Sequence, residues 1–367
     1  MSETLTSPAP TADSEGLLRC LRRAGEPSRV HFMELFLDEE VEEELCQRYP
    51  ILEGLDRSDP SFRLEAEVRL QRFLGYDYLR CGSLVTWPTG APHRSAGVVE
   101  DTAALQRAGG RGYIDEHRGN VACWEEFERM HWPDGRQADT RALEWYEENL
   151  PDDMCIFGTG GAHFYEHLSW LMGYETLAYA LFEDRELVKA ISDKLVEMAE
   201  AQTKLELQFS RVKGIWGSDD MGFRTGLLIG PDDMREFVLP GHRLVAELAH
   251  EAGKLYLLHS CGKLELIVED LIEDVRIDAR HSFEDTAEPV VEMKRRYGSR
   301  VSLIGGIDMD FLCRAEEAQV RERVRATLDV CQPGGGYCLG TGNSVANYIP
   351  IGNYLAMLDE GRRYGKL

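Results

Sequence analysis

The chain has 367 residues, of which 43% are hydrophobic and 29% charged. That balance supports a full buried core and excludes a mainly disordered chain. Asp plus Glu number 65 against 41 for Lys plus Arg, a formal net charge of −24, which would be repelled by nucleic acid or an anionic membrane surface. No apolar run approaches the roughly 20 residues that a membrane helix needs. The opening stretch, MSETLTSPAPTADSEG, is polar and lacks the basic and apolar parts of a signal peptide, so the expected compartment is the cytoplasm. Nine cysteines at irregular spacing read as reduced thiols, not as a disulfide framework.

In chain order, residues 1–16 read as a disordered tail, and 1–27 as an extension ahead of one domain over 28–364. A first strand fits 30–35. The acidic run from Asp38 to Leu45 reads as a solvated helix face. A second strand fits 76–84. Residues 86–150 read as an inserted segment over the mouth of the domain, with a hairpin near Gly112 to Ile114 and short helices near 123–131 and 140–149. Further strands fit 154–158, 214–218, 254–259, 275–281, 301–305 and 335–340, most of them separated by helices, including 162–182 and 184–210. Pro231 with Asp232 and Asp233 marks a helix start. Eight strands alternating with helices predict an α/β fold, a (β/α)₈ TIM barrel with its site at the C-terminal ends of the strands. No GxGxxG follows the first strand, which weakens a dinucleotide site.

The sharpest chemical signal is Lys254-Leu-Tyr-Leu-Leu-His259-Ser-Cys261-Gly262. Residues i and i+2 of an extended chain point to one face, so His259 and Cys261 converge. Imidazole with thiolate is a natural zinc pair. Cys338, near the end of the eighth strand, offers a third ligand, and three protein ligands with one open position would make a catalytic zinc. Spacing alone leaves two other readings open: a buried cysteine used as a small hydrophobe, and a hydrogen-bonded strand-end histidine. Asp219 and Asp220 follow the fourth strand and are candidates for substrate contact or proton supply, the alternative being a helix cap or turn. Gly158, Thr159 and Gly160 lie between a strand and a helix, where backbone N–H groups can face an anion or simply form a tight turn.

The stretches Ser218-Asp219-Asp220-Met-Gly222, Leu-Ile-Gly-Pro231, His259-Ser-Cys261 and Gly340-Thr-Gly-Asn343-Ser-Val-Ala-Asn347-Tyr348 resemble the uroporphyrinogen decarboxylase superfamily. Within it, they resemble the zinc-dependent methyltransferases that exchange methyl groups with corrinoid proteins. The resemblance spans roughly 28–364. It implies a Zn²⁺ cofactor held by His259, Cys261 and Cys338, with Glu284 as a fourth ligand or a rim ion pair. It implies substrate contacts from Asn343, Asn347 and Tyr348. It also implies a methyl donor or acceptor of small size, such as a thiol, and a corrinoid brought by a partner protein or as free methylcobalamin, since the chain has no DxHxxG element. The superfamily includes homodimers and monomers. Two departures count against tetrapyrrole decarboxylation. Phe32-Met-Glu34-Leu-Phe stands where the decarboxylase has an arginine-rich element, and Cys81-Gly82-Ser83-Leu84 stands where it has an essential aspartate. A metal-free decarboxylase and a non-catalytic corrinoid- or partner-binding barrel are the alternative readings.

Overall fold

Eight short strands form one parallel sheet: β1 (His31–Phe32), β2 (Tyr78–Arg80), β3 (Cys155–Gly158), β4 (Val212–Ser218), β5 (Leu255–His259), β6 (Ala279–His281), β7 (Ser302–Ile304) and β8 (Tyr337–Leu339). Seven lie within the spans that the sequence predicts, and β4 begins slightly earlier than expected. The computed structural model describes residues 5–87, 92–93, 95–115 and 117–366. Hydrogen-bonded neighbours run β1-β8-β7-β6-β5-β4-β3-β2, every pair parallel. The sheet therefore curls through the barrel order, but no ladder joins β1 to β2 among the described residues. A side chain bridges that seam instead. The buried Tyr78 hydroxyl accepts from the Glu34 N–H at 2.8 Å and donates to the Glu34 carbonyl at 2.5 Å. Most of the strands are short, largely apolar and buried, as expected for a parallel sheet covered by helices, whereas β6 carries Arg280 and His281.

Two expectations are corrected. From Thr6 on, the N-terminal stretch is tied down, not loose, while residues 1–4 lie outside the described residues. Thr6 and Ser7 donate to the buried carboxylate of Asp359 at 2.8–3.1 Å, and α1 (Ser14–Leu21) is amphipathic, with five of its apolar and small residues buried against the end where the strands begin. Composition alone hides this, because the partners lie some 350 residues away. The helix expected over 162–182 is two, α2 (Phe164–Met172) and α3 (Tyr174–Glu183), broken at Gly173. That residue has φ +80°, and a Cβ there would lie 2.7 Å from the Arg118 backbone, so the break needs glycine. The long helix α4 (Arg185–Glu206) follows.

The segment after β2 contains an antiparallel pair, Ser95–Val99 with Arg111–Ile114, then helices Trp124–Arg129 and Arg141–Asn149. Asn347, in the loop after β8, holds it. Its amide donates to Asp101 at 2.7 Å and to the Leu105 carbonyl at 2.6 Å, and Arg111 donates to its oxygen. Among the described residues no helix is long and apolar enough to cross a membrane.

Candidate metal centre

Strand β5 carries His259 to the C-terminal end of the sheet, and β4 runs beside it with Ser218 in register. The two loops that leave these strands cross tightly. A Cβ at Gly262 (φ +80°) would meet the Gly222 backbone at 2.2 Å, so only glycine lets them approach. The crossing brings Asp220 onto the His259–Cys261 pair. Asp220 Oδ1 accepts from the Cys261 N–H at 2.9 Å and lies 3.2 Å from His259 Nε2, and Cys261 Sγ is 3.5 Å from the same nitrogen. Oxygen, nitrogen and sulfur all lie within 4.8 Å of one another, the one such metal-competent group among the described residues.

The tautomer of His259 follows from its neighbours. His281 Nε2 faces the Thr341 carbonyl at 3.4 Å, which can only accept, so that nitrogen carries the hydrogen. Burial, with His259 next to it, pushes the His281 pKa well below its ordinary value, so the ring is neutral and its Nδ1 accepts. His259 Nδ1 must then donate across the 2.7 Å contact. This leaves His259 Nε2 facing Asp220 and Cys261, the arrangement in which an outer partner orients a metal-binding histidine. Burial and the adjacent Asp220 push the Cys261 thiol up, so it needs a cation to become a thiolate. Burial also opposes the charge on Asp220, but the neighbouring His259 and the bond from the Cys261 N–H outweigh it and hold the carboxyl at about 2. One oxygen, one imidazole nitrogen and one thiol, with the histidine pre-oriented, suit zinc.

Cys338 does not join this group. It is fully buried in β8, paired in register with His31, and its thiol is hydrogen-bonded to that of Cys20 on α1. The strand ends at Leu339, so the chain runs four residues further before a side chain reaches Cys261. That side chain is Asn343, whose Nδ2 donates to Cys261 Sγ at 3.0 Å. The sequence pattern predicts Cys338 at the mouth; the structure places it among the residues sealed by α1.

Other expected positions sort as follows. Asp219 is fully enclosed. Its carboxylate accepts from Tyr165 N–H, Glu166 N–H and His242 Nε2 at 2.8–2.9 Å, so it caps α2 and faces no cavity. The turn at Gly158, Thr159 and Gly160 is occupied from within. Glu206, reaching in from α4, accepts from Gly160 N–H at 2.8 Å and from the Ser83 N–H and hydroxyl at 2.7 and 2.8 Å. The turn thus wraps a buried side-chain carboxyl group rather than an external anion. Asn347 is the enclosed node that fastens the inserted segment. Glu284, half-buried, lines a cavity of about 870 Å³ together with Asp308, Phe311, Asn343 and Tyr348. Burial, then Asp308 and Asp220, raise its pKa. Asn343 is shared between this cavity and the Cys261 thiol, which sets the cavity beside the metal-competent group.

The family model for uroporphyrinogen decarboxylase (URO-D) matches residues 120–364. The chain belongs to that family. No curated protein matches. A methyltransferase from Methanosarcina mazei has a similar structure, at 16% identity over 97% of this chain and 99% of that one, with a TM-score of 0.66. A putative vitamin-B12-independent methionine synthase from Listeria monocytogenes aligns over 92% of this chain and 95% of its own at 12% identity, with a TM-score of 0.47. A B12-independent methionine synthase from Shewanella sp. W3-18-1 aligns over 97% of both chains at 13% identity, with a TM-score of 0.48. The family match and the Methanosarcina structure support a curled α/β barrel-like fold of the URO-D type.

Sequence reasoning missed His281. It ends β6 as His259 ends β5, in register with it, and a histidine at the same strand end as a suspected ligand was the available signal.

Proposed function

We propose that this member of the URO-D family is a zinc-dependent methyltransferase, moving a methyl group between a corrinoid and a small thiol. The observation that carries it is the Asp220–His259–Cys261 group beside the Glu284–Asn343 cavity. The donor set differs from the expected His259, Cys261 and Cys338: Asp220 takes the third place. Bound there, zinc would supply the charge that keeps an acceptor thiol deprotonated and nucleophilic near neutral pH.

The protein's own residues do the rest. Asp220 and His259 hold their donor atoms inward before any ligand arrives. His281 and the Thr341 carbonyl fix which nitrogen His259 presents. Asn343 donates to the Cys261 sulfur, which tempers its electron density. Glu284 stands on the cavity wall, where a half-buried carboxyl with a raised pKa can hold a proton near the entering group. A corrinoid would be brought by a partner protein or as free methylcobalamin. The barrel's surface charge would then favour a partner with a basic face.

The test is demethylation of methylcobalamin across small thiols, with zinc content measured in parallel. Zinc-loaded protein should form cob(I)alamin, lose activity with a strong chelator and regain it with Zn²⁺. Full turnover by metal-free protein would overturn the reading. Release of CO₂ from a carboxylated substrate without metal would favour the decarboxylase instead.

A further inference from the structure

The cavity beside the metal-competent group is built by the segments that leave three successive strands. Glu284 follows β6, Asp308 and Phe311 follow β7, and Asn343 and Tyr348 follow β8. These are C-terminal strand ends, the side of a barrel on which binding residues gather. A volume of about 870 Å³ suits a small molecule. Asn343 ties the cavity to the donor set, since its Nδ2 lies 3.0 Å from Cys261 Sγ.

The charges on its wall do not cancel. Asp285 is paired with Arg323 at 2.7 Å and Asp310 with Arg314 at 2.8 Å, so these two acids already have cations. Asp308 is buried and accepts from the Asp285 and Phe311 N–H groups, each at 2.9 Å, but it has no cationic partner among the described residues. Glu284 has neither an ion pair nor a side-chain hydrogen bond among them, and the charged groups that act on it, Asp308 and Asp220, are both acids. A carboxyl so placed draws a cation. A bare metal ion is not the natural one, because the only donor atoms that converge as a metal site among the described residues are those of Asp220, His259 and Cys261. The aromatic part of the wall points to an organic cation instead. Arg323 already stands over the Phe311 ring, 4.4 Å from its centre. Tyr348 is 45% exposed and makes no ring contact among the described residues, which leaves its ring open to a ligand cation.

We propose that this cavity seats the ammonium end of a small cationic substrate, with Glu284 as its counter-ion and Tyr348 against it, while the reacting end lies past Asn343 toward Cys261. Two kinds of substrate share that chemistry: an aminothiol that accepts a methyl group and a quaternary ammonium compound that gives one. With the aminothiol, the thiol proton passes to solvent and a C–S bond forms. The Co–C bond of methylcobalamin breaks, and its electron pair stays on cobalt. With the quaternary ammonium compound, a C–N bond breaks and its pair stays on nitrogen as a tertiary amine. The pair on cob(I)alamin then forms the Co–C bond. The proposal rests on the methyltransferase reading for the transfer itself, whereas the cation preference belongs to the cavity.

The experiment uses the full chain. Calorimetry on the metal-free protein compares choline with neohexanol, its neutral carbon isostere, and cysteamine with mercaptoethanol and mercaptoacetate. Wild type should prefer the cation in each set by roughly threefold to thirtyfold, the span of a half-exposed ion pair with a cation–π contact. Glu284→Gln should remove most of that preference. Its melting temperature should equal or exceed that of wild type, because the carboxyl has no bond to lose and two acid neighbours to escape. Tyr348→Leu should weaken choline by about twofold or more and leave neohexanol unchanged. Equal affinity of wild type for choline and neohexanol would overturn the proposal. So would an undiminished preference in folded Glu284→Gln, or, should that variant not fold, unchanged choline affinity in Tyr348→Leu. Zinc-loaded protein then separates the two sources. Cob(I)alamin formed from methylcobalamin with cysteamine identifies an acceptor, and methylcobalamin formed from cob(I)alamin with choline identifies a donor. If the cation preference holds but neither transfer occurs, the seat stands and the methyltransferase reading falls. If mercaptoethanol is bound and methylated as well as cysteamine, the methyltransferase reading stands and the seat falls.

Discussion

Replacing Cys338 and Cys261 separately with alanine sets the spacing-based site against the one the structure assembles. In Cys338→Ala the lost sulfur comes from a fully packed position in β8, and Cys20 loses its thiol partner. A sulfur-sized cavity costs about 1 kcal/mol in transfer and void terms, and the lost hydrogen bond about another 1 kcal/mol. Together these give about 2 kcal/mol. Unfolding entropy near 2.1 cal/mol/K per residue over 367 residues converts that to a fall of about 2–3 °C in Tm. Zinc affinity should be unchanged, because Asp220, His259 and Cys261 are untouched. Cys261→Ala is the mirror case. The side chain is only partly enclosed, so stability should move little, while zinc affinity should fall by about a hundredfold or more with one of three protein ligands removed. The assay is competitive zinc titration against a chromophoric chelator, alongside differential scanning calorimetry. If Cys338→Ala releases zinc while Cys261→Ala retains it, the assignment of ligands is wrong.

Two further outcomes follow from buried carboxyls. Asp219→Asn should leave zinc stoichiometry at wild-type level but destabilise the fold by about 2–4 kcal/mol, because α2 loses a charged cap and an amide NH₂ is turned toward backbone donors; calorimetry with elemental analysis decides, and zinc loss at unchanged stability would contradict the capping role. Glu34 is raised to about 8 from 4.5 by burial, against the opposing bonds from Thr341. The folded state thus holds a proton that the unfolded chain releases, so this group's contribution is fully present below about 4.5 and is lost as pH rises to about 8. Glu34→Gln should flatten the decline in Tm between pH 5 and pH 8, since the amide keeps both contacts to Thr341 by accepting from its N–H and donating to its hydroxyl; an unchanged slope in the variant would count against the raised pKa.

The strands were legible because their signal is local. Apolar runs such as Leu255–His259 need only a few residues to declare themselves, and the alternation with helices then fixes a parallel sheet. The His259–Cys261 convergence was legible for the same reason, since an i, i+2 relation survives any uncertainty about the rest of the chain. The third ligand depended instead on which neighbour a residue near the end of β8 meets: Cys338 lies one residue before the strand's end, as expected, but its thiol meets Cys20 of α1 and not the His259–Cys261 pair. Asp219 and Asp220 show the same limit within two adjacent residues. Successive residues leaving a strand turn opposite ways, and one is taken by the N-terminus of α2 while the other reaches the metal-competent group. The glycine-rich turn at 158–160 looks like an anion cradle because its actual occupant, Glu206, lies 46 residues on and carries no local mark.

The assembled picture also explains why the fold tolerates an open ladder between β1 and β2. Tyr78 closes that seam with one hydroxyl serving both the N–H and the carbonyl of Glu34. The same strand carries Arg80 two residues on, on the same inward face. A barrel wall held there by side chains rather than by a backbone ladder frees the strand end from the register of a neighbour. Arg80 can then sit in the interior without β1 supplying a matching acid. The Glu34 carboxyl, the one acid β1 does place nearby, is occupied by the Thr341 N–H and hydroxyl at 2.7 and 2.6 Å and pushed toward its neutral form. Glu34 thus serves the seam through its backbone and the loop after β8 through its carboxyl group.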